Sequence, residues 1–409
     1  MSDAVSGTAP SPSLRPAATS SHPTTAARFP LVFTGSAPFV GSSPRITIAS
    51  ESADPRWADD VVRLLRPSER ALLSLSFDPR GAAVAHLVTP APLPTDTAPH
   101  EARRAPTARH RVTAHPSETA YADQVRAALV RLGSGGLHKV VLGRCLEVVS
   151  SPALTPAEVL ARLLAERPGR YVFGMPLGAA RAGAWLVGAS PELLVRRTGD
   201  VVSSTPLAGS VPRSSDPAED QRRAAALQES AKDLAEHAFV VDGIVEALGA
   251  VCTEVEAAAE PHLTSTDTLW HLATPIRGRL ADPDRTSALH LARLLHPTPA
   301  VGGVPTEAAL ATIDDLEGDL RGPLAGAVGW VGADGDGEIA VAIRAGVLDR
   351  DTLTLFAGAG IVAGSDPDAE VRETGAKLAT MARAIGLDQV DGMGDGMADG
   401  MAASTGVPS

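Results

Sequence analysis

Apolar and polar residues alternate along much of the chain, and this alternation predicts strands. From Phe29 the segments PLVFTG and RITIAS alternate in this way, and ALLSLSFDP and AAVAHLVTP follow as a second pair. A period of two residues is typical of strands with one buried face. Between the two pairs, residues 58–65 have the spacing of a short helix.

Longer helices are predicted where apolar residues recur every three or four positions. Residues 121–132 have this spacing, and Gly133 ends the segment. Residues 155–166 predict a second helix that Thr155 can cap. Residues 217–250 predict one or two more helices.

Hairpins account for most of the remaining pattern. YVFGMPL and AWLVGAS predict one hairpin, and LLVRRTGD with VVSSTPLAGS predicts another around a Gly-Asp turn. Further strands are predicted at 268–278 and 325–332, followed by IAVAIRAGVL and TLTLFAGAGIV. Hairpins interrupted by long helices indicate an α+β fold with a mainly antiparallel sheet.

The chain predicts one folded domain over residues 29–387, flanked by two disordered tails. Residues 1–28 are rich in Ser, Thr, Ala and Pro and lack the apolar segment of a secretion signal, although a transit peptide stays open. Residues 388–409 are acidic and repetitive, which also predicts disorder. Residues 90–117 show no periodicity and predict a long connection.

Composition and charge narrow the class of protein. With 409 residues, 44% of them apolar, the chain can bury a sizeable core. A net charge of -12 argues against nucleic acid or an anionic membrane as a partner, because both attract basic surfaces. Cys145 and Cys252 match neither a disulfide framework nor a zinc site, so we expect reduced cysteines and a cytoplasmic protein.

One candidate site lies near the C-terminus, in LFAGAGIVAGSDPDAEVRETGAKLATM (355–381). A glycine-rich strand is followed by a Ser-Asp-Pro turn that begins a helix. On this helix Glu370, Glu373 and Lys377 share one face, at i, i+3 and i+7. Such a face suits a cation and an anion held side by side, but the same spacing also occurs in solvated salt-bridge faces.

Four further segments place charged or glycine-rich groups at the ends of strands or helices. GASPE (188–192) sets a carboxylate behind a proline, and PLAGS (206–210) exposes backbone N–H groups that suit an anion. SAKDLAEH (230–237) carries charges on successive helical turns, and Lys139 begins an apolar strand. Each segment taken singly has an ordinary structural explanation. GASPE can be a turn, SAKDLAEH a solvated helix face, and Lys139 a lysine whose stem packs on apolar surface while its amine reaches water.

Together these segments resemble the chorismate-utilising enzymes, a family of isochorismate, salicylate, anthranilate and aminodeoxychorismate synthases. The resemblance covers residues 117–386 and rests on ten ordered blocks: HKVVLGR, GASPELLVRR, STPLAGS, ESAKDLAEHAFVVDGI, LWHLATPIRG, HPTPAVGG, GAVGWVG, VAIRAGVL, LFAGAGIV and AEVRETGAKL. Within the family it is strongest to isochorismate synthases of the siderophore type. The fold implied has two large antiparallel sheets packed face to face and wrapped by helices, with strands from 29–90 completing the sheets.

The resemblance also implies the reaction and its proton carriers. In isochorismate synthesis, water attacks C2 of chorismate as the C4 hydroxyl leaves. Lys139 matches the family's general base and Glu192 its general acid. Burial disfavours the charged form of each, as these roles require. A non-catalytic module that only binds Mg2+ and a dicarboxylate would lack one of these residues, and both are present.

The cofactor implied by the resemblance is Mg2+. Glu236 and Glu373 match the direct ligands, and Glu370 matches a residue that reaches the ion through water. Oxygen donors and retained water suit this small, hard cation.

The remaining implied residues bind chorismate. Arg344 matches the clamp on the pyruvyl carboxylate, where a planar bidentate donor is apt, and the amide of Gly358 assists it. Lys377 and the open backbone at Gly209 approach the ring carboxylate. The further contacts implied are Ser210, His271 and Ala300, although a histidine in a strand can also be purely structural.

A few positions distinguish branches of the family. Ala208 stands where aminodeoxychorismate synthases carry a lysine nucleophile, which disfavours that branch. Ser210 replaces the threonine typical of ammonia-using members, so we expect water as nucleophile and no glutaminase subunit. The resemblance to siderophore-type synthases implies a monomer. Salicylate synthase is the alternative, although the HPTPA block (296–300) argues against it. Val301 and Leu324 depart from the family pattern and would loosen the apolar wall.

Overall fold

The computed structural model of the protein describes residues 31–41, 43–93, 109–166, 170–384 and 386–387. The disordered tails expected at 1–28 and 388–409 lie outside the described residues. Within the described ranges, no helix is both long enough and apolar enough to cross a membrane.

Eight α-helices occur in the described part of the chain. They are α1 (Trp57–Leu64), α2 (Glu118–Gly133), α3 (Pro156–Glu166), α4 (Pro217–Glu229), α5 (Ala231–Gly249), α6 (Ala288–Leu295), α7 (Thr306–Glu317) and α8 (Pro367–Ala384). The predicted segment 217–250 is two helices, because Ser230 ends α4 and caps α5 by accepting from the backbone N–H of Asp233.

Helices α6 and α7 have no counterpart among the elements predicted from the sequence. Five of the eight residues of α6 are buried, and all five are apolar. Their spacing, at positions 288, 289, 291, 292 and 295, is helical, but eight residues are fewer than the window over which this period is diagnostic. The start of α6 is still marked locally, because Ser287 and His290 form a reciprocal capping box.

Ten strands form the first sheet, which is antiparallel. In spatial order they are β18 (Gly303–Val304), β8 (Lys139–Ser151), β22 (Thr352–Val362), β21 (Ala345–Asp349), β10 (Trp185–Ser190), β9 (Tyr171–Pro176), β1 (Leu31–Phe33), β2 (Phe39–Gly41) and β6 (Pro90–Ala91), with β7 (Arg109–His115) also paired to β8. The ladder between β8 and β22 runs from Lys139 opposite Val362 to Val149 opposite Thr352. It places Lys139 beside the glycine-rich end of β22.

Nine strands form the second sheet, which is also antiparallel, and three form a small third sheet. The second sheet has the order β14 (Cys252–Ala257), β17 (Ile276–Leu280), β12 (Val201–Thr205), β11 (Leu193–Thr198), β20 (Gly337–Val341), β19 (Ala327–Gly332), β4 (Arg70–Leu75), β5 (Ala82–Val88) and β3 (Ile46–Glu51). The third has the order β13 (Leu207–Pro212), β16 (Leu269–Ala273) and β15 (His262–Ser265). The α+β class, the two large antiparallel sheets and the division of the N-terminal strands between them are confirmed.

The main apolar cluster contains residues of both large sheets, such as Phe173 of β9, Leu73 of β4 and Ile339 of β20. Val172, next to Phe173, belongs to a second cluster that includes residues of α3 and α8. Successive strand residues point to opposite faces, so the first sheet is buried on both sides at β9. Helix α8 therefore packs against one buried face of the sheet that carries Lys139.

Two segments differ from the sequence prediction. Residues Arg109–His115 form β7, whereas a connection was expected over 90–117; the strand alternates half-buried and exposed residues and is too polar to show an apolar pattern. A single strand was expected over 268–278, but this segment forms two strands in different sheets, β16 and β17. Thr274 and Pro275 lie between them, and a proline cannot donate a hydrogen bond to a neighbouring strand.

Candidate active site

A cavity lies where the first sheet and the small third sheet meet helices α5 and α8. Ten residues proposed from the sequence line it: Glu192, Gly209, Ser210, Glu236, His271, Ala300, Arg344, Gly358, Glu373 and Lys377. They lie on different strands, turns and helices, so the fold collects groups that are far apart in the sequence.

Lys139 begins strand β8 and is fully buried. Its Nζ lies 3.1 Å from Oε1 of Glu236 on α5. Gly360 on β22 provides the space for this pair, because a Cβ at that position would lie 2.0 Å from Glu236 Oε1 and 3.1 Å from Lys139 Cε. A side chain at 360 would therefore displace one member of the buried ion pair.

Glu192 follows strand β10 directly after Pro191 and is 3% exposed. Its Oε1 accepts a hydrogen bond from the backbone N–H of Leu207 at 3.4 Å. Burial raises the pKa of Glu192 to about 7, against the lowering effects of the Leu207 N–H and of Lys139. A carboxyl group that keeps its proton near neutral pH can donate it, as a general acid must.

The other two glutamates expected to bind Mg2+ also contact lysines. Lys232 Nζ donates to Glu370 Oε1 at 2.8 Å, and Lys377 Nζ lies 2.6 Å from Glu373 Oε1. The sequence contains 36 Lys and Arg residues, of which three are lysines and 33 are arginines. Every lysine of the chain therefore pairs with one of these three glutamates.

Glu370 and Glu373 lie one turn apart on α8, and their surroundings affect them in opposite ways. Glu370 is 1% exposed, and burial together with the charge of Glu373 raises its pKa. Burial opposes ionisation of Glu373 as well, but Lys377, Lys232 and the Ser210 hydroxyl together hold the pKa of Glu373 below its usual range. Ser210 Oγ supports the anion by donating to Glu373 Oε1 at 3.2 Å.

The oxygen atoms of these carboxylates fit a small, hard cation. Over the described ranges, no three Asp, Glu, His or Cys side chains converge into a ready-made metal cage. Mg2+ does not need one, because it keeps several waters and uses one or two carboxylates. Lys232 contacts only Oε1 of Glu370, so the buried Oε2 can accept from a metal-bound water.

Arg344 and Lys377 supply positive charge to the cavity. Arg344 lies between β20 and β21, is 8% exposed and has a φ of 50°, in the left-handed region that few residues with side chains adopt. Burial lowers the pKa of Arg344 to about 10, so the guanidinium remains charged at neutral pH. Lys377 Nζ donates to the carbonyl oxygen of Gly358 at 2.9 Å, whereas the sequence prediction concerned the amide of Gly358.

The third sheet brings an open backbone and a histidine to the cavity. Strand β13 has an irregularity between Ala208 and Ser210, where Gly209 has a φ of 75°. His271 lies opposite Ser210 on β16 and is 5% exposed, and burial lowers its pKa to about 3. Its Nε2 is buried without a hydrogen-bond partner among the described residues, so a neutral ring nitrogen is available to a ligand.

Two of the proposed residues, Lys139 and Glu370, do not line the cavity. Lys139 contacts the lining residue Glu236, whereas Glu370 pairs with Lys232, which does not line the cavity either. Of the two departures from the family pattern, Val301 lines the cavity; Leu324 is buried and is not among the lining residues.

Sequence reasoning missed Lys232 and Gly360 as site residues. The signal for Lys232 was its residue type, because lysine is rare in this chain and each of the others had already been assigned to the site. Gly360 had no local signal, since it matters only through its distance to Glu236, on a helix far away in the sequence.

Comparisons with known proteins identify relatives of this chain. The model of the family described as chorismate binding enzyme matches residues 87–386. Isochorismate synthase DhbC of Bacillus subtilis (strain 168) is 46% identical over 278 residues, which cover 67% of this chain and 70% of the relative. Isochorismate synthase EntC of Escherichia coli (strain K12) is 42% identical over 272 residues, covering 66% and 68%. A Bacillus anthracis structure assigned as a 2,3-dihydroxybenzoate-specific isochorismate synthase, DhbC, has a TM-score of 0.80 at 35% identity and covers 88% of this chain and 96% of its own.

Proposed function

This chain belongs to the family of chorismate-binding enzymes, and on that premise we propose that it converts chorismate to isochorismate. Glu192, with a pKa of about 7, and the cations Arg344 and Lys377 line one cavity, and the buried Lys139 contacts the lining residue Glu236. This combination of a base, an acid and two positive charges is the observation on which the proposal rests. It fits a dianion that must gain a hydroxyl at one carbon and lose one at another.

The two carboxylates of chorismate set the binding mode that we propose. Arg344 clamps the pyruvyl carboxylate with its planar fork of donors. Lys377 faces the ring carboxylate, and the uncovered backbone of Gly209 lets the ring approach closely. His271 offers its free Nε2 to a substrate oxygen, while Ala300 leaves room beside the ring.

In the proposed reaction, Lys139 takes a proton from water as the water oxygen bonds to C2. Both ring double bonds shift, the C4–O bond breaks, and Glu192 gives its proton to the departing hydroxyl, which leaves as water. One water enters and one leaves, so substrate and product are isomers. The lysine ends as an ammonium and the glutamate as a carboxylate, and transfer of one proton between them through solvent resets the site.

We propose Mg2+ as the cofactor, held directly by Glu236 and Glu373 and through water by Glu370. When bound, it neutralises and orients the ring carboxylate. Because Ser210 donates to Glu373, it orients one of these ligands as well as facing the substrate.

We further propose that water, and not ammonia, is the nucleophile, so no glutaminase subunit is needed. Ala208 lies in the cavity wall and offers no amine there, in contrast to a lysine nucleophile. We also propose that the enzyme is a monomer and acts in the cytoplasm.

The test is incubation of the purified protein with chorismate and Mg2+, with and without ammonia, followed by chromatographic identification of the products. Isochorismate as the sole product is expected in both cases. Salicylate with pyruvate would assign a lyase step to the site, and an aminated product would assign ammonia as nucleophile. Either result, or no conversion, overturns the proposal.

A further inference from the structure

Arg321 is a buried cation beside the cavity to which the proposed reaction gives no role. It follows helix α7, and its side chain is only 3% exposed. Its Nε and Nη2 donate to the two carboxylate oxygens of Glu317, the last residue of α7, both at 2.7 Å. The Glu317 side chain is fully buried. Burial of an ion pair is offset only where further hydrogen bonds satisfy its remaining donors and acceptors, so the other contacts of this pair are informative.

The pair lies at the edge of strand β8 that faces away from β22, in a gap between two neighbouring strands. This edge pairs with β18 at the start of β8 and with β7 from Cys145 onward. Between these ladders, Val141 and Gly143 have no strand partner on this edge within the described residues. Arg321 Nη2 donates to the carbonyl oxygen of Val141 at 2.6 Å, and Glu317 Oε1 accepts from the backbone N–H of Gly143 at 2.7 Å. The ion pair therefore takes the place of a strand, because it satisfies backbone groups that would otherwise be buried without partners.

The same guanidinium also contacts two other segments of the cavity wall. Its Nη1 donates to the carbonyl oxygen of Val301 at 2.7 Å, and its Cζ lies 5.3 Å from the ring centroid of Phe356 on β22. Val141, Val301 and Phe356 all line the cavity, whereas Arg321 does not. One buried group outside the cavity thus joins three wall residues that are far apart in the sequence. The ring of Phe77 supports the guanidinium at 4.1 Å from Cζ.

The shape of a guanidinium is what this position requires. Arg321 donates four hydrogen bonds, two to one carboxylate and one to each of two carbonyl oxygens. A planar fork of donors can reach all of these acceptors at once, whereas an ammonium is a single compact point of charge. Without the fork, the carbonyls of Val141 and Val301 would lose their donor inside the protein, which is costly for buried acceptors.

From these contacts we propose that Arg321 is a positioning residue that fixes the apolar wall of the substrate cavity and thereby sets the affinity for chorismate. It does so by holding β8, the segment at Val301 and the ring of Phe356 in one arrangement. Contacts of an apolar wall are made in the ground state and in the transition state alike, so their loss raises KM more than it lowers kcat. This inference rests on the proposed function, because it takes chorismate to be the ligand that the wall contacts.

The test is steady-state kinetics of Arg321→Lys with chorismate and Mg2+, at a temperature well below the thermal midpoints of all variants. The lysine keeps the charge beside Glu317 but cannot donate to both carbonyls. We expect KM to rise roughly tenfold and kcat to stay within about threefold of wild type. In a Glu192→Gln background, where chorismate should bind without turnover, its Kd should rise by a similar factor. A rise in KM of less than about threefold overturns the inference.

Arg45→Lys is the matched control, because Arg45 makes the same kind of contacts away from the cavity. Its Nε and Nη2 donate to the two carboxylate oxygens of Glu69, and Nη2 also donates to the carbonyl oxygen of Leu64, each at 2.7 Å. The Glu69 side chain is 3% exposed, and none of these three residues lines the cavity. Arg45→Lys should lower the thermal midpoint and keep the wild-type KM. An equal rise in KM in this control would trace the effect to general destabilisation and overturn the inference.

A second variant, Arg321→Met combined with Glu317→Gln, removes both charges and so leaves no unpaired ion in the core. It should show the same rise in KM, and it decides the matter if Arg321→Lys does not fold. Failure of both to fold overturns the inference, because the pair would then serve folding and not the site. Failure of the wild type to convert chorismate overturns the proposed function instead. Conversion by the wild type with an unchanged KM in the variants overturns this inference alone.

Discussion

Nζ of Lys139 lies 3.1 Å from Oε1 of Glu236, and the lysine side chain is fully buried. The group proposed as the general base is therefore in contact with a group proposed to bind the metal. Loss of either partner leaves a charge buried without compensation, which destabilises a protein far more than loss of an exposed pair. Mutations at this pair will affect both chemistry and stability, and each needs a separate readout.

Replacement of Lys139 by methionine should abolish turnover. The apolar chain keeps the volume of the lysine but cannot take a proton, and a general base contributes roughly 100-fold to 10,000-fold to a rate. We expect kcat for chorismate to fall by at least about 100-fold, measured by isochorismate formation. The exposed neighbour His138 gives the control, since His138→Ala changes the start of the same strand and should keep kcat within about threefold. Retained turnover in Lys139→Met would exclude it as the base.

Glu192 should make the stability of the metal-free protein depend on pH. Its pKa is raised to about 7 in the folded protein from 4.5, so its contribution to stability is complete below 4.5 and is lost as pH rises through 7. Glutamine at position 192 does not ionise, so the Glu192→Gln variant does not lose this contribution to stability as pH rises. Relative to wild type, its free energy of unfolding should therefore rise by up to roughly 3 kcal/mol between pH 4.5 and pH 8.

Urea unfolding at both pH values measures this difference, with the exposed Glu254→Gln as control. The free energy of unfolding of Glu254→Gln should differ from that of wild type by the same amount at both pH values. If Glu192→Gln behaves like Glu254→Gln, the carboxyl group of Glu192 is not held neutral by burial.

Glu373 and Glu370 should contribute unequally to metal binding. Glu373→Gln removes a direct ligand, and we expect the Kd for Mg2+ to rise by more than about 100-fold. Glu370→Gln removes a carboxylate that acts through water, a change that typically weakens metal binding about 10-fold to 100-fold. Calorimetry on the free protein measures both without reference to turnover. Equal effects on the Kd, or a larger effect at Glu370, would contradict the assignment of Glu373 as a direct ligand and Glu370 as a residue that acts through water.

Gly360→Ala should disrupt the site without touching a charged group. The new Cβ would lie 2.0 Å from Glu236 Oε1, so Glu236 must move away from Lys139. Because the obstructing atoms are the ends of flexible side chains, the loss of stability should be small, at most about 1 kcal/mol, whereas the displaced carboxylate should weaken Mg2+ binding about tenfold.

Gly136→Ala is the control for glycine replacement, since a Cβ there meets no atom within 4 Å. Its thermal midpoint and its Mg2+ affinity should match wild type. Wild-type Mg2+ affinity in Gly360→Ala would show that the position of Glu236 does not depend on the open backbone.

Much of the fold could be predicted because its signals are local. Strand alternation, the helix start at Thr155 and the glycine after 121–132 are signals that act over a few residues, and these elements formed where expected. Helix α6 was missed because it spans only eight residues, and β7 because it is largely polar. Both depend on packing partners that the local pattern does not record.

The sequence by itself determined the family, the class of fold and the identity of most groups in the cavity, because the ten blocks preserve residue types in order. Only the tertiary structure decided which charge meets which. The structure pairs Lys139 with Glu236 and Lys232 with Glu370, and it leaves no free space for a side chain at Gly360. These contacts depend on how a strand and two helices approach one another in space. Ion pairing and steric contact act over a few ångströms in space, and sequence separation does not encode those distances.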